Sequence, residues 1–221
     1  MNTLPDVERS YSGEVVRKAI HLSSLSIPIV YFFISTSTAL LLLVPLTLAF
    51  GLADLARLVV PRFRSFYHTW FGWLLRAHEK SQDEKRLNGA TYVLLSATIG
   101  ILLFPKVIII TAFAILIVSD SVAALVGRKF GRHPFMKKSF EGTFAFFVSA
   151  VAVVCLAPKI SYIPAEYLIG IAAAFLGAIV EALPIPLDDN LSIPFSIGAA
   201  MWLMYGLFLP SLNVFALDAM R

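Results

Sequence analysis

The segment from Ser119 to Gly142, SDSVAALVGRKFGRHPFMKKSFEG, combines residue types that could bind a charged ligand at a membrane surface. It opens with a carboxylate, Asp120, inside an apolar run, and it ends with Glu141 where the next apolar run starts. Cations neutralise phosphate charge, and glycine lets backbone amides come close to a ligand. This combination predicts a site for a polyphosphate that carries a metal ion. Between the two acids lie five cations and two glycines: Arg128, Lys129, Arg132, Lys137, Lys138, Gly127 and Gly131.

Asp120 requires a physical reason, because a charged side chain at membrane depth costs roughly 3 kcal/mol or more. Magnesium binds proteins through one or two carboxylates, and phosphate oxygens and water complete its shell. Asp120 is therefore interpreted as a magnesium ligand or as a counter-charge beside the polyphosphate. The alternative is an ion pair with a basic residue that serves packing alone.

The cations that follow Asp120 also have two interpretations. They could bind phosphate, or they could only mark the inner side of the membrane, where lysine and arginine accumulate. Ser139 precedes an apolar run and predicts the start of a helix, whose N-terminus favours anions. Glu141 is then either an ordinary first-turn acid or a second metal ligand. The G-x-x-x-x-G-K-[ST] pattern of P-loop proteins is absent, so a site of that kind is excluded.

A second polar group precedes the first apolar run. On a helix, Glu14, Arg17, Lys18 and His21 would share one face, within an arc of roughly 100°. One interpretation is an ion-paired helix start. In the other, His21 acts as a proton acceptor or a hydrogen-bond donor, because it lies deepest and can be neutral.

A third polar group is VEALPIPLDDNLSIPF, in which Glu181 ends an apolar run and two prolines break the helix. Asp188, Asp189 and Asn190 occupy the turn that follows. They could form an Asx turn and cap the last helix. Alternatively, they and Glu181 could pair with the cations or hold a metal. By contrast, the spacing of Asp54 and Arg57 predicts a structural ion pair.

The composition indicates a membrane protein, since 58% of the 221 residues are hydrophobic and only 14% are charged, against about 25% charged in soluble domains. Apolar runs of this length predict an all-α, polytopic integral membrane protein with about seven transmembrane helices in one membrane-embedded domain, 1–221. Aromatic residues at helical spacing within 62–80, opposite a basic face, predict one interfacial amphipathic helix. The predicted spans are 15–34, 38–59, 89–104, 107–126, 143–158, 165–183 and 191–209.

The placement of positive charge predicts the orientation. All but three of the 18 lysines and arginines fall in the segments on one side; the exceptions are Lys106, Lys159 and Arg221. The positive-inside rule therefore places the N-terminus and all three polar groups in the cytoplasm, and the C-terminus outside. The single cysteine, Cys155, excludes an intrachain disulfide.

Three blocks of the sequence resemble the CTP-dependent lipid-alcohol kinases, a family that includes dolichol kinase, phytol kinase, CTP-dependent diacylglycerol kinase and prokaryotic polyprenol-kinase-like members. The blocks are ExxRKxxH from Glu14 to His21, the segment from Ser119 to Gly142, and EALPIPLDDNLSIP at 181–194; RLNGATY at 86–92 is a weaker match. The second block also resembles phosphatidate cytidylyltransferases. The Lys-Asp pair of their C-terminal signature is absent from this chain, which favours the kinases.

This resemblance implies transfer of the γ-phosphate of CTP to the hydroxyl of a membrane lipid alcohol at the cytoplasmic face. Polyprenol, dolichol, phytol and diacylglycerol are the candidate acceptors, with CTP as co-substrate and Mg²⁺ as cofactor. The triphosphate would be held by the five cations with Gly127, Gly131 and Ser139. Magnesium would be held by Asp120, Glu141 and Asp188. The catalytic residues would be Asp120, His21, Asp188 and Asp189. Support for the site or contact with the lipid headgroup would come from Glu14, Arg17, Lys18, Glu181 and Asn190.

Several alternatives stay open at this point. A cytidylyltransferase acting on a lipid phosphate would release pyrophosphate instead of CDP. A transporter or lipid-binding protein would use the buried acids without nucleotide turnover. The general base is open between His21, Asp188 and Asp189. The expected partners are the bilayer, the lipid alcohol and CTP but no nucleic acid, and homodimer formation is undecided.

Overall fold

Helices dominate the computed structural model, which describes residues 15, 17–63, 65, 69 and 87–218. The N-terminal helical residues 17–23 come first. They are followed by α1 (Ser26–Phe33), α2 (Thr36–Val59), α3 (Gly89–Leu103), α4 (Lys106–Phe130), β1 (Pro134–Phe135), β2 (Lys138–Ser139), α5 (Phe140–Leu156), α6 (Pro164–Ala182) and α7 (Asp189–Phe208). The predicted predominance of helix is confirmed, and the two short strands are an addition that the sequence pattern did not predict.

Four of the described helices, α2, α4, α6 and α7, are long and apolar enough to cross a membrane. Helices α3 and α5 are also apolar, with 15 and 17 residues. The first predicted span is interrupted by a turn at 24–25, because Pro28 has no N–H for the carbonyl of Ser24 and its ring clashes with that carbonyl. The four long apolar helices identify the chain as a membrane protein. A total of about seven spans stays a prediction.

Two predicted features lie wholly or mostly outside the described residues. The predicted interfacial helix at 62–80 is described only at 62, 63, 65 and 69. Glu14 lies outside the described residues as well.

Helix α4 forms the centre of the described fold, and 78% of its most apolar stretch is buried. It contacts α5, α7 and α1. Its run of β-branched and apolar residues has no polar face before Ser119, as expected for a helix surrounded by protein. Because α4 is fixed on several sides, it can hold Asp120 at a defined position.

Helix α2 joins the fold through a buried polar network at the start of α3. The carboxylate of Asp54, which is fully buried, accepts from Arg57 Nε at 3.1 Å and from Thr91 Oγ1 at 2.8 Å. It also accepts from the backbone N–H of Asn88 at 2.6 Å and from Asn88 Nδ2 at 3.0 Å. The predicted pair of Asp54 and Arg57 is confirmed, and the same carboxylate anchors the residue that caps α3.

Two lysines at the opposite ends of the helices are buried, with 2% and 4% exposure for Lys106 and Lys159. Lys106 Nζ donates to the carbonyl of Ile34 at 2.7 Å. Lys159 Nζ donates to the carbonyls of Val154 and Ala157 at 2.6 and 2.8 Å. These carbonyls belong to the last turns or caps of α1 and α5, where a cation satisfies acceptors that the helix leaves open.

Candidate functional site

The N-terminal helical residues and α4 meet through an ion pair between Lys18 and Asp120. Lys18 Nζ donates to Asp120 Oδ2, and the two residues are only 4% and 9% exposed. His21 Nε2 lies 3.7 Å from the same oxygen. Lys18 and His21 are three positions apart on one helical face, so the face that the sequence predicted is the one that contacts Asp120.

A second set of ion pairs involves the cations of the hairpin formed by β1 and β2. Lys138 Nζ lies 2.6 Å from Glu181 Oε1 and 3.4 Å from Asp189 Oδ2. Lys137 Nζ lies 2.9 Å from Asp189 Oδ1. The hairpin therefore connects the end of α6 to the start of α7 through alternating charges.

The electrostatic surroundings of Lys138 join the two sets. Burial alone would lower the pKa of Lys138, but the carboxylates of Asp189, Glu181 and Asp120 outweigh that effect and raise it above its ordinary value. Lys138 is therefore a permanent cation among three acids from α7, α6 and α4. We call this group the charged cluster; it consists of Lys18, His21, Asp120, Lys137, Lys138, Glu181 and Asp189.

The hairpin has a local structure that fixes both of its lysines. Pro134 pairs with Ser139 and Phe135 with Lys138, and Met136 in the turn has a φ of 50°. The backbone N–H of Lys137 donates to the carbonyl of Ala182 at 3.1 Å. The turn is thus attached to the end of α6, which explains how Lys138 comes to contact Glu181.

The glycines of this region bring α4 and α5 together. A Cβ atom on Gly142 would lie 3.1 Å from the carbonyl oxygen of Ala123 and 3.3 Å from Cα of Gly127. Gly127 lies inside α4 and Gly131 is its C-cap, and none of the described glycines has a positive φ. Gly127 and Gly142 therefore serve close helix packing. Contact between phosphate and the amides of Gly127 and Gly131 stays a prediction.

The five cations after Asp120 divide into two groups. Lys137 and Lys138 belong to the charged cluster, whereas Arg128, Lys129 and Arg132 are exposed at the end of α4 and just beyond it. Lys129 Nζ lies 5.3 Å from the ring centre of Phe130. The exposed group lies close in sequence to the hairpin that carries Lys137 and Lys138.

Ser139 and Glu141 belong to the start of α5. Ser139 Oγ accepts from the N–H of Gly142 at 3.2 Å, which confirms the predicted helix start. Glu141 Oε1 lies 2.7 Å from Nδ1 of His133. Backbone N–H groups, first its own, and then the side chain of His133 lower the pKa of Glu141 to about 2. Glu141 thus binds His133 and backbone N–H groups, which do not belong to the charged cluster.

Asp188 and Asn190 form the predicted turn before α7. Asp188 Oδ1 accepts from the backbone N–H of Asn190 at 2.9 Å and from Asn190 Nδ2 at 2.7 Å. Asp188 is the N-cap of α7, so the capping alternative is confirmed for this residue. Asp189 is the neighbour that turns toward the hairpin lysines.

The residues predicted to hold magnesium do not form one group. In the part of the chain that the structure describes, no three His, Cys, Asp or Glu side chains are placed to hold a metal ion. Magnesium needs only one or two protein carboxylates when substrate phosphates complete its shell, and Asp120 fits that requirement. Magnesium binding by Asp120, Glu141 and Asp188 stays a prediction.

Two ion pairs join residues that are far apart in the chain, Lys18 with Asp120 and Lys138 with Glu181. The sequence offered each as an alternative, because a buried acid requires a cation: Glu181 with the cations after Asp120, and Asp120 with a basic residue. It did not identify Lys18 as the partner of Asp120. Arg17 is partly buried in the same helical segment as Lys18, and its role stays a prediction.

Fold and site together define a helical membrane protein with a charged, partly buried site near one end of its helices. An uncharacterized protein of Rickettsia prowazekii is 32% identical over 188 residues, which are 84% of this chain and 92% of that protein. CTP-dependent diacylglycerol kinase 1 of Schizosaccharomyces pombe is 31% identical over 157 residues, which are 64% of this chain and 69% of that protein. The chain belongs to the same family as these two proteins. No family model and no solved structure matches it.

Proposed function

We propose that the protein transfers the γ-phosphate of CTP to the hydroxyl of a membrane lipid alcohol. The observation that carries this proposal is the charged cluster, in which Lys138 lies among three carboxylates near the ends of membrane helices. Kinship with a protein named as a CTP-dependent diacylglycerol kinase supports both the donor and the lipid acceptor.

Lys137 and Lys138 would bind the transferred end of the triphosphate. Their ammonium groups form ion pairs with Glu181 and Asp189, which hold both side chains at the end of α6 and the start of α7. Arg128, Lys129 and Arg132 would attract the nucleotide from solution, because they are exposed beside the site. Phosphoryl transfer passes through a loose transition state, so positioning and charge neutralisation account for most of the catalysis.

Asp120 would hold magnesium at the phosphates, while Lys18 and His21 keep its carboxylate in place. Magnesium, when bound, would supply charge neutralisation on the β- and γ-phosphates. His21 could also orient the nucleotide or the acceptor from its position 3.7 Å from Asp120. The lipid alcohol would keep its chain in the hydrocarbon while its hydroxyl reaches the cluster.

The test uses purified protein in detergent or nanodiscs, magnesium and CTP labelled at the γ-phosphate. Phytol, a polyprenol, dolichol and diacylglycerol are offered separately as acceptors. We expect label in one lipid with equal release of CDP, and loss of transfer in Asp120→Asn. Cys155→Ala is the matched control, because Cys155 is exposed and far along α5 from the site. Release of pyrophosphate, or no turnover with any acceptor, would contradict the proposal.

A further inference from the structure

One oxygen in the charged cluster has an unusual environment. Glu181 is only 2% exposed, and its Oε1 is bound to Lys138 Nζ at 2.6 Å. Its other oxygen, Oε2, is buried and accepts no hydrogen bond from any residue that the structure describes. A buried carboxylate oxygen without a donor is costly. Its position therefore indicates that Oε2 has a partner in the functional state.

We propose that Glu181 is the general base of the reaction, with Oε2 accepting the hydroxyl proton of the lipid alcohol. This inference rests on the proposed function. The proton of the alcohol passes to Oε2, and the alcohol oxygen forms a bond to the γ-phosphorus of the nucleoside triphosphate. The bond from that phosphorus to the bridging oxygen breaks, and the nucleoside diphosphate leaves with the electron pair.

The neighbouring residues explain why Glu181 suits this role better than the other acids. Both oxygens of Asp189 are engaged by Lys137 and Lys138. Asp188 caps its own helix. Glu181 instead combines a bond to Lys138, which would bind the phosphate, with a second oxygen that has no donor among the described residues. The Lys138 ammonium lies 2.6 Å from Oε1 of this same carboxylate, so a phosphate bound to Lys138 and a hydroxyl bound to Oε2 would be neighbours.

The other class of partner for such an oxygen is a metal ion. Oε1 of the same carboxylate already binds the ammonium group of Lys138, and that positive charge would repel a metal ion on Oε2. An alcohol hydroxyl is a donor of the right size and charge for the remaining oxygen, so the geometry favours the hydroxyl.

The test compares Glu181→Gln with the wild type in the labelled-CTP assay. We expect kcat to fall on the order of 10²- to 10⁴-fold, with KM for CTP changed less than about threefold, because the amide keeps the shape but cannot accept the proton. In the wild type kcat should fall toward low pH, and this decline should be absent from the variant's residual rate. The charges facing Glu181 are Lys138 from the hairpin, Asp189 from α7 and Asp120 from α4.

Glu166→Gln is the matched control on the same helix. Glu166 is fully buried at the far end of α6, where it accepts backbone N–H groups of Ile160 and Ser161 at 2.8 and 2.9 Å. The Glu166→Gln variant should have lower thermal stability than the wild type, and its pH profile of kcat should be unchanged. Binding of a non-hydrolysable CTP analogue by Glu181→Gln, measured by calorimetry, should match the wild type.

Four results would overturn the inference. A kcat in Glu181→Gln equal to that of the wild type would show that Glu181 is not the general base, while the proposed kinase activity would stand. Loss of analogue binding would show a structural role, and weaker Mn²⁺ binding by electron paramagnetic resonance would show a metal ligand. If Glu181→Gln does not fold, Glu181→Asp takes its place. An unchanged kcat in Glu181→Asp would refute the inference, whereas a kcat lowered more than about tenfold at constant KM would support it. Failure of the wild type to transfer label at all is a separate result, which rejects the proposed function itself.

Discussion

Gly127 of α4 and Gly142 of α5 face each other, and a Cβ atom on Gly142 would lie 3.3 Å from Cα of Gly127. The neighbouring atoms are backbone and the capping Ser139 Oγ, which cannot easily move aside. The pair therefore sets the distance between the helix that carries Asp120 and the helix that follows the hairpin.

Gly142→Ala should separate these two helices and displace Lys138 from Glu181. We expect a loss of about 1–3 kcal/mol in the free energy of unfolding, as is usual for overpacking, and lower transfer activity in the folded fraction. Thermal unfolding in detergent and the labelled-CTP assay measure the two effects. Gly206→Ala in α7 is the control, since a Cβ there would meet no atom within 4 Å; equal losses in both variants would contradict the packing argument.

Lys18→Met should leave Asp120 buried without its cation. Breaking a buried ion pair from one side costs about 3–5 kcal/mol, so thermal unfolding should shift strongly. The double variant Lys18→Met/Asp120→Asn should regain most of that stability and stay inactive, because the carboxylate is gone. A double-mutant cycle measures the coupling. Additive losses in the cycle would show that the two side chains do not act as a pair.

Asp54→Asn should destabilise the protein without touching the charged cluster. The amide loses the charge that faces Arg57 and offers fewer acceptor positions to the donors of Asn88 and Thr91. We expect about 3–5 kcal/mol of lost stability, with kcat per folded molecule unchanged. Normalising transfer rates to folded protein tests this separation, and a selective loss of kcat would place Asp54 in the site.

Glu141→Gln should reveal how that acid contributes to stability as pH changes. Its folded pKa of about 2 lies below the ordinary value of 4.5, so its contribution is present above the ordinary value and disappears as pH falls through the folded one. The stability difference between wild type and variant should therefore narrow below pH 4.5. Measuring the free energy of unfolding of wild type and variant as the pH is lowered tests this narrowing. A changed magnesium requirement at neutral pH would instead make Glu141 a metal ligand.

Local patterns in the sequence predicted local structure well. The pair of Asp54 and Arg57, the cap at Ser139 and the turn at Asp188 each depend on neighbours within a few residues. Such contacts follow from helix geometry and capping chemistry alone.

Contacts between distant segments could not be predicted in the same way. The partner of Asp120 is 102 positions away, and many cations in the chain could have filled that role. The hairpin was missed because its strands have two residues each, too few for an alternating pattern. Its turn residue Met136 has a positive φ without being glycine, so the usual sequence signal for such a turn is absent.

The burial of Lys106 and Lys159 changes the distribution of exposed positive charge on the protein. Both were counted as charges of the predicted outer loops, yet their ammonium groups bind helix carbonyls inside the protein. In the folded protein these two charges are therefore directed into the molecule and not toward the solution. With them set aside, Arg221 is the basic residue that remains in the predicted outer segments, so the predicted imbalance of exposed positive charge is larger than counting lysines and arginines suggests.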